Sequence, residues 1–176
     1  MFIPRIGLGF DSHRLIDNDN ANRSTDRLIQ DIGLRLGGIT IPHTKSLLGH
    51  SDADALLHAI TDALLGAASE GDIGQWFPDT AEENRNRDSA EMLALVWKSL
   101  KEKGFQIGNL DAVILAQRPK ILPYVPAMRE RIGQILDIPV ADIGIKAKTG
   151  ENIGPVGEQK IVEVHAVALL FRNTGK

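Results

Sequence analysis

The stretch SDADALLHAITDALLGAAS, residues 51–69, limits the folds open to this chain more than any other. Its apolar residues stand at 53, 56, 57, 60, 63, 64, 67 and 68, the spacing that lines one face of an amphipathic helix. Asp54, His58 and Asp62 recur at intervals of four along the opposite, polar face. Ser51, with Asp54 three residues on, predicts a capping box in which Asp replaces the usual Glu.

A second period runs through the N-terminal segment. Ile6, Leu8 and Phe10 alternate with Gly7, Gly9, Asp11 and His13, as in a strand, so Asp11 and His13 share a face. Further strands are expected at about Leu34 to Ile41, closed by Pro42, at Asp111 to Gln117, at Ile143 to Thr149 and at Ile161 to Phe171. Helices are expected from about Ser89 to Lys103, with Asp88 and Glu91 as cap pair and Gly104 as stop, and from Tyr124 to Leu136. The polar run DNDNANRSTDR, residues 17–27, reads as an exposed hairpin excursion. Strands alternating with helices that carry one apolar face predict an α/β (α+β) fold, a sheet covered by helices on one side. No internal repeat or interdomain linker interrupts residues 1–176, so one domain is expected.

Composition removes several function classes. A formal charge of −3 and a pI near 5.9 give no basic field to track a nucleic-acid backbone. The absence of cysteine excludes disulfides, thiolate nucleophiles and thiolate metal sites, leaving His, Asp and Glu as ligands. No apolar run reaches membrane-spanning length and no basic leader precedes the first strand, so no membrane association and a cytoplasmic location are expected.

Candidate chemistry collects on a few residues. Side chains two apart on a strand leave one face about 6.6–7 Å apart, a gap a carboxylate and an imidazole can close on one metal ion. Asp11 and His13 with His58 would make an N/O set with an open fourth position, the arrangement of catalytic zinc. A strand end in solvent and a surface histidine are the plainer alternatives. Asp54 or Asp62 could accept from the other ring nitrogen of His58 and fix its tautomer. In GHSDAD, His50 and Ser51 stand at a helix N-terminus, which favours anions, although Ser51 could simply cap. GDIGQWFPD sets Asp72 and Asp79 on a glycine-bearing loop, AQRPKILP could wrap a small planar ligand, and KAKTGENIG places Thr149 and Glu151 beside glycines at a strand end.

The segments GFDSHRL, LLGHSDADALLHAITDALLGAASEGDIGQWFPDT, AQRPKILPYVPAMR, KAKTGENIG and HAVALL, in this order, resemble the 2-C-methyl-D-erythritol 2,4-cyclodiphosphate synthase family of isoprenoid biosynthesis along nearly the whole chain. The resemblance implies a homotrimer with active sites between subunits and a small-molecule, CDP-linked substrate that is cyclised with loss of CMP. It implies zinc on Asp11, His13 and His58, and a second divalent ion, Mg2+ or Mn2+, at Glu151. His50 and Thr149 fall where the family holds phosphates and stabilises the transition state, and Ser51 shares in binding. Asp72, Ile73 and Gly74, with Phe77, Pro78, Asp79, Thr80 and Ala81, fall on its ribose- and erythritol-binding loops. Ala116, Gln117, Arg118, Pro119, Lys120, Ile121 and Leu122 resemble its cytosine pocket, and Lys148, Gly150, Pro155 and Glu158 flank its phosphate site.

The chain departs from the pattern at two places. Lys148, Thr149 and Gly150 stand where many members have three threonines, and Pro155 and Glu158 where many have Phe and Arg. Lys148 or Lys160 is the expected substitute for the missing positive charge. Two other functions share some of these features: a zinc-dependent phosphohydrolase, which would use a metal-bound water, and a non-catalytic nucleotide- or isoprenoid-binding module.

Overall fold

The structure, a computed structural model, describes residues 2–18, 33–78 and 80–173. β1 (Phe2–Asp17) runs antiparallel to a strand from the far end of the chain, Ile161–Asn173, with Gly9 opposite Ala166, Asp11 opposite Val164 and His13 opposite Val162. A short hairpin of β2 (Leu34–Leu36) and β3 (Ile39–Ile41) follows, and then β4 (Lys45–Leu48), which pairs antiparallel with the end of β1. The remaining strands are β5 (Phe105–Leu115), β6 (Ile143–Lys148) and the C-terminal β7 (Ile161–Asn173). The sheet order is β4-β1-β7-β5-β6, antiparallel except for the β5–β6 pair, which makes the sheet mixed.

Helix α1 (Ala55–Ala68) lies across β1 and β7, with Leu56, Leu57, Ile60, Leu64 and Leu65 fully buried. It approaches unusually closely because the strand beneath it carries glycines: a Cβ on Gly7 would stand 1.9 Å from the Ala63 carbonyl oxygen, and one on Gly9 would stand 1.9 Å from that of Ala59. The single turn α2 (Ile73–Trp76) follows, then α3 (Ser89–Glu102), α4 (Val125–Leu136) and the turn α5 (Gly154–Gly157). The other face of β1 carries no helix, and there Ile6, Leu8 and Phe10 are 75%, 68% and 49% exposed.

The layered α/β fold is as the sequence predicts, with local differences. The expected strand from Leu34 to Ile41 is a hairpin, because Gly37 and Gly38 take positive φ (66° and 74°) and turn the chain back. Helix α1 starts later than expected: Asp54, not Ser51, is its N-cap and accepts from Leu57 N at 3.0 Å. β5 begins directly after Gly104, because a register shift between Ile107 and Asn109 absorbs the turn-like Gly108. The 17–27 excursion and Asp79 lie largely or wholly outside the described residues.

Candidate metal centre

The close packing of α1 on glycine brings the His58 ring down onto the end of β1. Asp11 Oδ2 lies 3.0 Å from His13 Nε2 and 2.9 Å from His58 Nδ1, and the two ring nitrogens lie 3.2 Å apart. Among the described residues this is the one group of three or more His, Cys, Asp or Glu side chains with such converging ligand atoms.

The outer ring nitrogens determine what the inner ones can do. His13 Nδ1 lies 2.9 Å from the carbonyl oxygen of Leu48, which can only accept, so Nδ1 carries the hydrogen and Nε2 a lone pair. Strand β4, which the sequence reading did not separate, supplies that carbonyl. Gly49 leaves room for the ring, since a Cβ there would stand 2.9 Å from His13 Cε1. His58 Nε2 lies 2.8 Å from Ser89 Oγ and 3.1 Å from Ser51 Oγ. Burial alone would raise the Asp11 pKa, but hydrogen bonds and charge from both histidines outweigh it and hold the carboxyl well below the usual carboxylate range. Burial likewise disfavours charge on His58, yet Asp11 pushes its pKa upward overall. When both rings are neutral those hydrogen bonds are lost, and two imidazole lone pairs and an ionised carboxylate aimed at one point repel one another unless a cation lies between them. The donor set thus fits a divalent ion that takes nitrogen and oxygen ligands.

The expected partners of His58 do not hold it. Asp54 is fully buried and is used up by the backbone N–H groups of Gly37 (2.8 Å), Gly38 (2.6 Å) and Leu57 (3.0 Å). Asp62 accepts from Ile73 N at 2.8 Å and so ties α2 to α1. Both carboxylates position backbone instead, because a side chain one turn away points along the helix rather than at the far side of the imidazole ring.

A cleft of about 200 Å³ opens beside the cluster, lined by Asp11, His13, His50, Ser51 and Ile73, with Phe77 at its wall. His58, Gly74, Asn84 and Met92 complete the lining. His50 Nε2 is buried there without a hydrogen-bond partner. Asp72 caps α2 by accepting from Gln75 N at 2.9 Å, which leaves Ile73 and Gly74 facing the cleft.

Pro78, Thr80 and Ala81 follow Phe77 on the segment before α3, Ala116 to Leu122 and Lys148 to Glu151 form a separate group at the ends of β5 and β6, and none of these lines this cleft. There Ala116 N donates to Lys148 O at 2.9 Å, Gln117 Nε2 donates to Asn152 Oδ1 at 2.8 Å, and Thr149 Oγ1 donates to the Glu151 carboxylate. Lys160 does not stand free as a substitute cation, since its ammonium pairs with Glu158 at 2.5 Å. Asn84, Met92 and Ser89 went unnoticed in the sequence. Ser89 stood beside a good cap and so read as helix start alone.

A sheet layered with helices, holding an Asp/His/His cluster at the lip of a small cleft, defines a class of α/β proteins suited to a divalent ion and a small anionic ligand. Residues 4–171 match the YgbB family, and the chain belongs to that family. It is 46% identical over 168 residues to 2-C-methyl-D-erythritol 2,4-cyclodiphosphate synthase of Halalkalibacterium halodurans, covering 96% of this chain and 99% of that one. It is 47% identical over 166 residues to the synthase of the same name from Bacillus licheniformis, covering 94% and 97%. Among solved structures it is similar to the CDP complex of IspF from Plasmodium falciparum, with a TM-score of 0.78, 33% identity and 97% of each chain covered. It is also similar to the bifunctional IspDF of Campylobacter jejuni, with a TM-score of 0.87 and 35% identity over 98% of this chain. The chain spans 43% of that longer protein.

Proposed function

We propose that this protein is a lyase that converts 4-diphosphocytidyl-2-C-methyl-D-erythritol 2-phosphate to 2-C-methyl-D-erythritol 2,4-cyclodiphosphate and CMP. The convergence of Asp11, His13 and His58 beside a cleft carries the reading, together with membership of a family whose relatives bear the synthase name. The substrate's 2-phosphate is ionised at neutral pH and attacks the β-phosphorus. The new P–O bond closes the ring as the bond to the α-phosphate oxygen breaks and CMP departs. No water is consumed and no general base is required, because the attacking phosphate is already ionised.

Zinc on Asp11, His13 and His58 would supply Lewis-acid polarisation of the phosphate under attack. His50 and the Ser51 hydroxyl, both in the lining of the cleft, would hold phosphate oxygens. Ile73, Gly74 and Phe77 wall the erythritol portion, and Asp62 fixes the turn that carries Ile73 and Gly74. The group at β5 and β6 would bind the rest of the substrate: Ala116 to Leu122 the cytosine, Thr149 the diphosphate, and Glu151 a Mg2+ or Mn2+ ion.

These two groups do not share a cleft within one chain, and the apolar outer face of β1 lies uncovered. Both facts support a homotrimer in which each site draws one group from each of two neighbours. Incubation with the CDP-linked substrate, zinc and magnesium should release CMP and cyclic diphosphate in equal amounts. CMP with no cyclic product would point to the phosphohydrolase instead, and no product at all to a binding module.

A further inference from the structure

The His58 ring is held from outside by a chain of two residues that the substrate does not need to touch. Ser89, fully buried at the first turn of α3, donates its hydroxyl hydrogen to Asp52 Oδ1. The Asp52 carboxylate is itself fixed by Ser89 N at 3.3 Å, Asp54 N at 3.2 Å and the Arg35 guanidinium at 3.9 Å. With its one hydrogen committed, Ser89 Oγ can only accept from His58 Nε2, 2.8 Å away.

We infer that Ser89 and Asp52 are positioning residues for the metal centre: Asp52 orients the Ser89 hydroxyl, and Ser89 holds the hydrogen of His58 on Nε2, leaving the Nδ1 lone pair for the ion. The inference rests on the metal-dependent reading proposed above. The competing state is close at hand. Ser51 Oγ lies 3.1 Å from the same Nε2 and could donate to it, which would move the ring hydrogen to Nδ1, where Asp11 Oδ2 at 2.9 Å would accept it. That state would pair both ring nitrogens, through Ser51 and Asp11, and block the ion. Ser89 excludes it, because an unprotonated Nε2 would face the lone pairs of an oxygen that has no hydrogen to give. A second consequence concerns Ser51. With Nε2–H directed to Ser89, the Ser51 hydroxyl keeps its hydrogen for the cleft it lines, as a donor to a phosphate oxygen.

The test compares the full-length wild type with Ser89→Ala and Ser89→Thr. Two-bond 15N–1H NMR on metal-free protein at about pH 9, above the ordinary imidazole range, reads the tautomer. Nε2–H is expected for His58 in the wild type and in Ser89→Thr, and a substantial Nδ1–H population in Ser89→Ala. Zinc affinity should fall about 10- to 100-fold in Ser89→Ala and be restored by the threonine hydroxyl. Wild-type His58 in the Nδ1–H form, or zinc affinity in Ser89→Ala within about twofold of wild type, overturns the inference. Should Ser89→Ala fail to fold, as judged by circular dichroism, the wild-type tautomer decides alone. CMP release by a wild type with Nδ1–H overturns this inference and not the proposed function; Nε2–H without CMP release does the reverse.

Discussion

Gly9 lies so close beneath Ala59 that a methyl group on it would stand 1.9 Å from the Ala59 carbonyl oxygen and 2.7 Å from the nitrogen of Ala63. Ala59 is the residue after His58, so the packing of strand on helix sets the height of the His58 ring above Asp11 and His13. Gly9→Ala should push α1 off the sheet at the turn that carries His58. The cost is expected at about 1–3 kcal/mol or more, since backbone rather than a flexible side chain must yield. Urea unfolding should show a lower midpoint, and zinc affinity should drop in the molecules that remain folded. Wild-type values for both would mean that the helix has room the structure denies it.

The alternation around Gly7 and Gly9 was legible as a strand, and the heptad-like stripe of 51–69 as a helix, because both are periods of the local sequence. Their approach was not legible in the same way. Two glycines on the inward face read as small residues, and only the helix laid across them gives them a purpose. For the same reason Asp11, His13 and His58 could be grouped by period, whereas Ser89 could not. Its contact with His58 spans 31 residues and depends on the packing of α3 against α1. Asp54 and Asp62 were misassigned because helical spacing gives the face of a side chain and not the backbone amides that reach it first.

Asp54 carries a large share of the local stability. Its fully buried carboxylate accepts from Gly37, Gly38 and Leu57, joining the β2–β3 hairpin to the start of α1. Asp54→Ala leaves these amides unpaired and removes the cap, and a loss of about 3 kcal/mol is expected. Denaturant titration measures it directly. Asp62→Ala should behave differently, because its carboxylate holds Ile73 N: zinc affinity should be retained while KM for the CDP-linked substrate rises several-fold. A loss of zinc in Asp62→Ala with KM unchanged would contradict this division of roles.

Zinc binding should weaken as pH falls. Zinc and protons compete for the lone pair of His58 Nδ1, so a proton that must be displaced there lowers the apparent affinity. Asp11 pushes His58 above the ordinary imidazole value of 6.5, so the decline should begin above that pH rather than below it. Asp11, held far below the usual carboxylate range, should stay ionised throughout and add no step near pH 4. Competition titrations with a chromophoric chelator between about pH 5 and 8 follow the curve. An affinity flat across that window would show that the His58 ring is not a ligand.

The proposed sharing of each site between subunits makes a stronger demand than trimer formation alone. The His58 group and the Thr149–Glu151 group lie in separate places on one chain, so a subunit damaged in one group can still lend the other to its neighbour. His58→Ala and Glu151→Ala should each be inactive as pure trimers. Unfolded together in equal amounts and refolded, they should form mixed trimers in which about a quarter of the sites pair an intact His58 with a neighbour's intact Glu151. Activity should return to about that fraction of wild type, whereas mixing the folded variants without exchange should restore none. Leu8→Asp, which places a charge on the uncovered face of β1, should prevent assembly and abolish activity with the zinc ligands untouched. Light scattering gives the mass of each species and CMP release gives its activity. Refolded mixtures that assemble as trimers but stay inactive would show that each chain carries a complete site of its own.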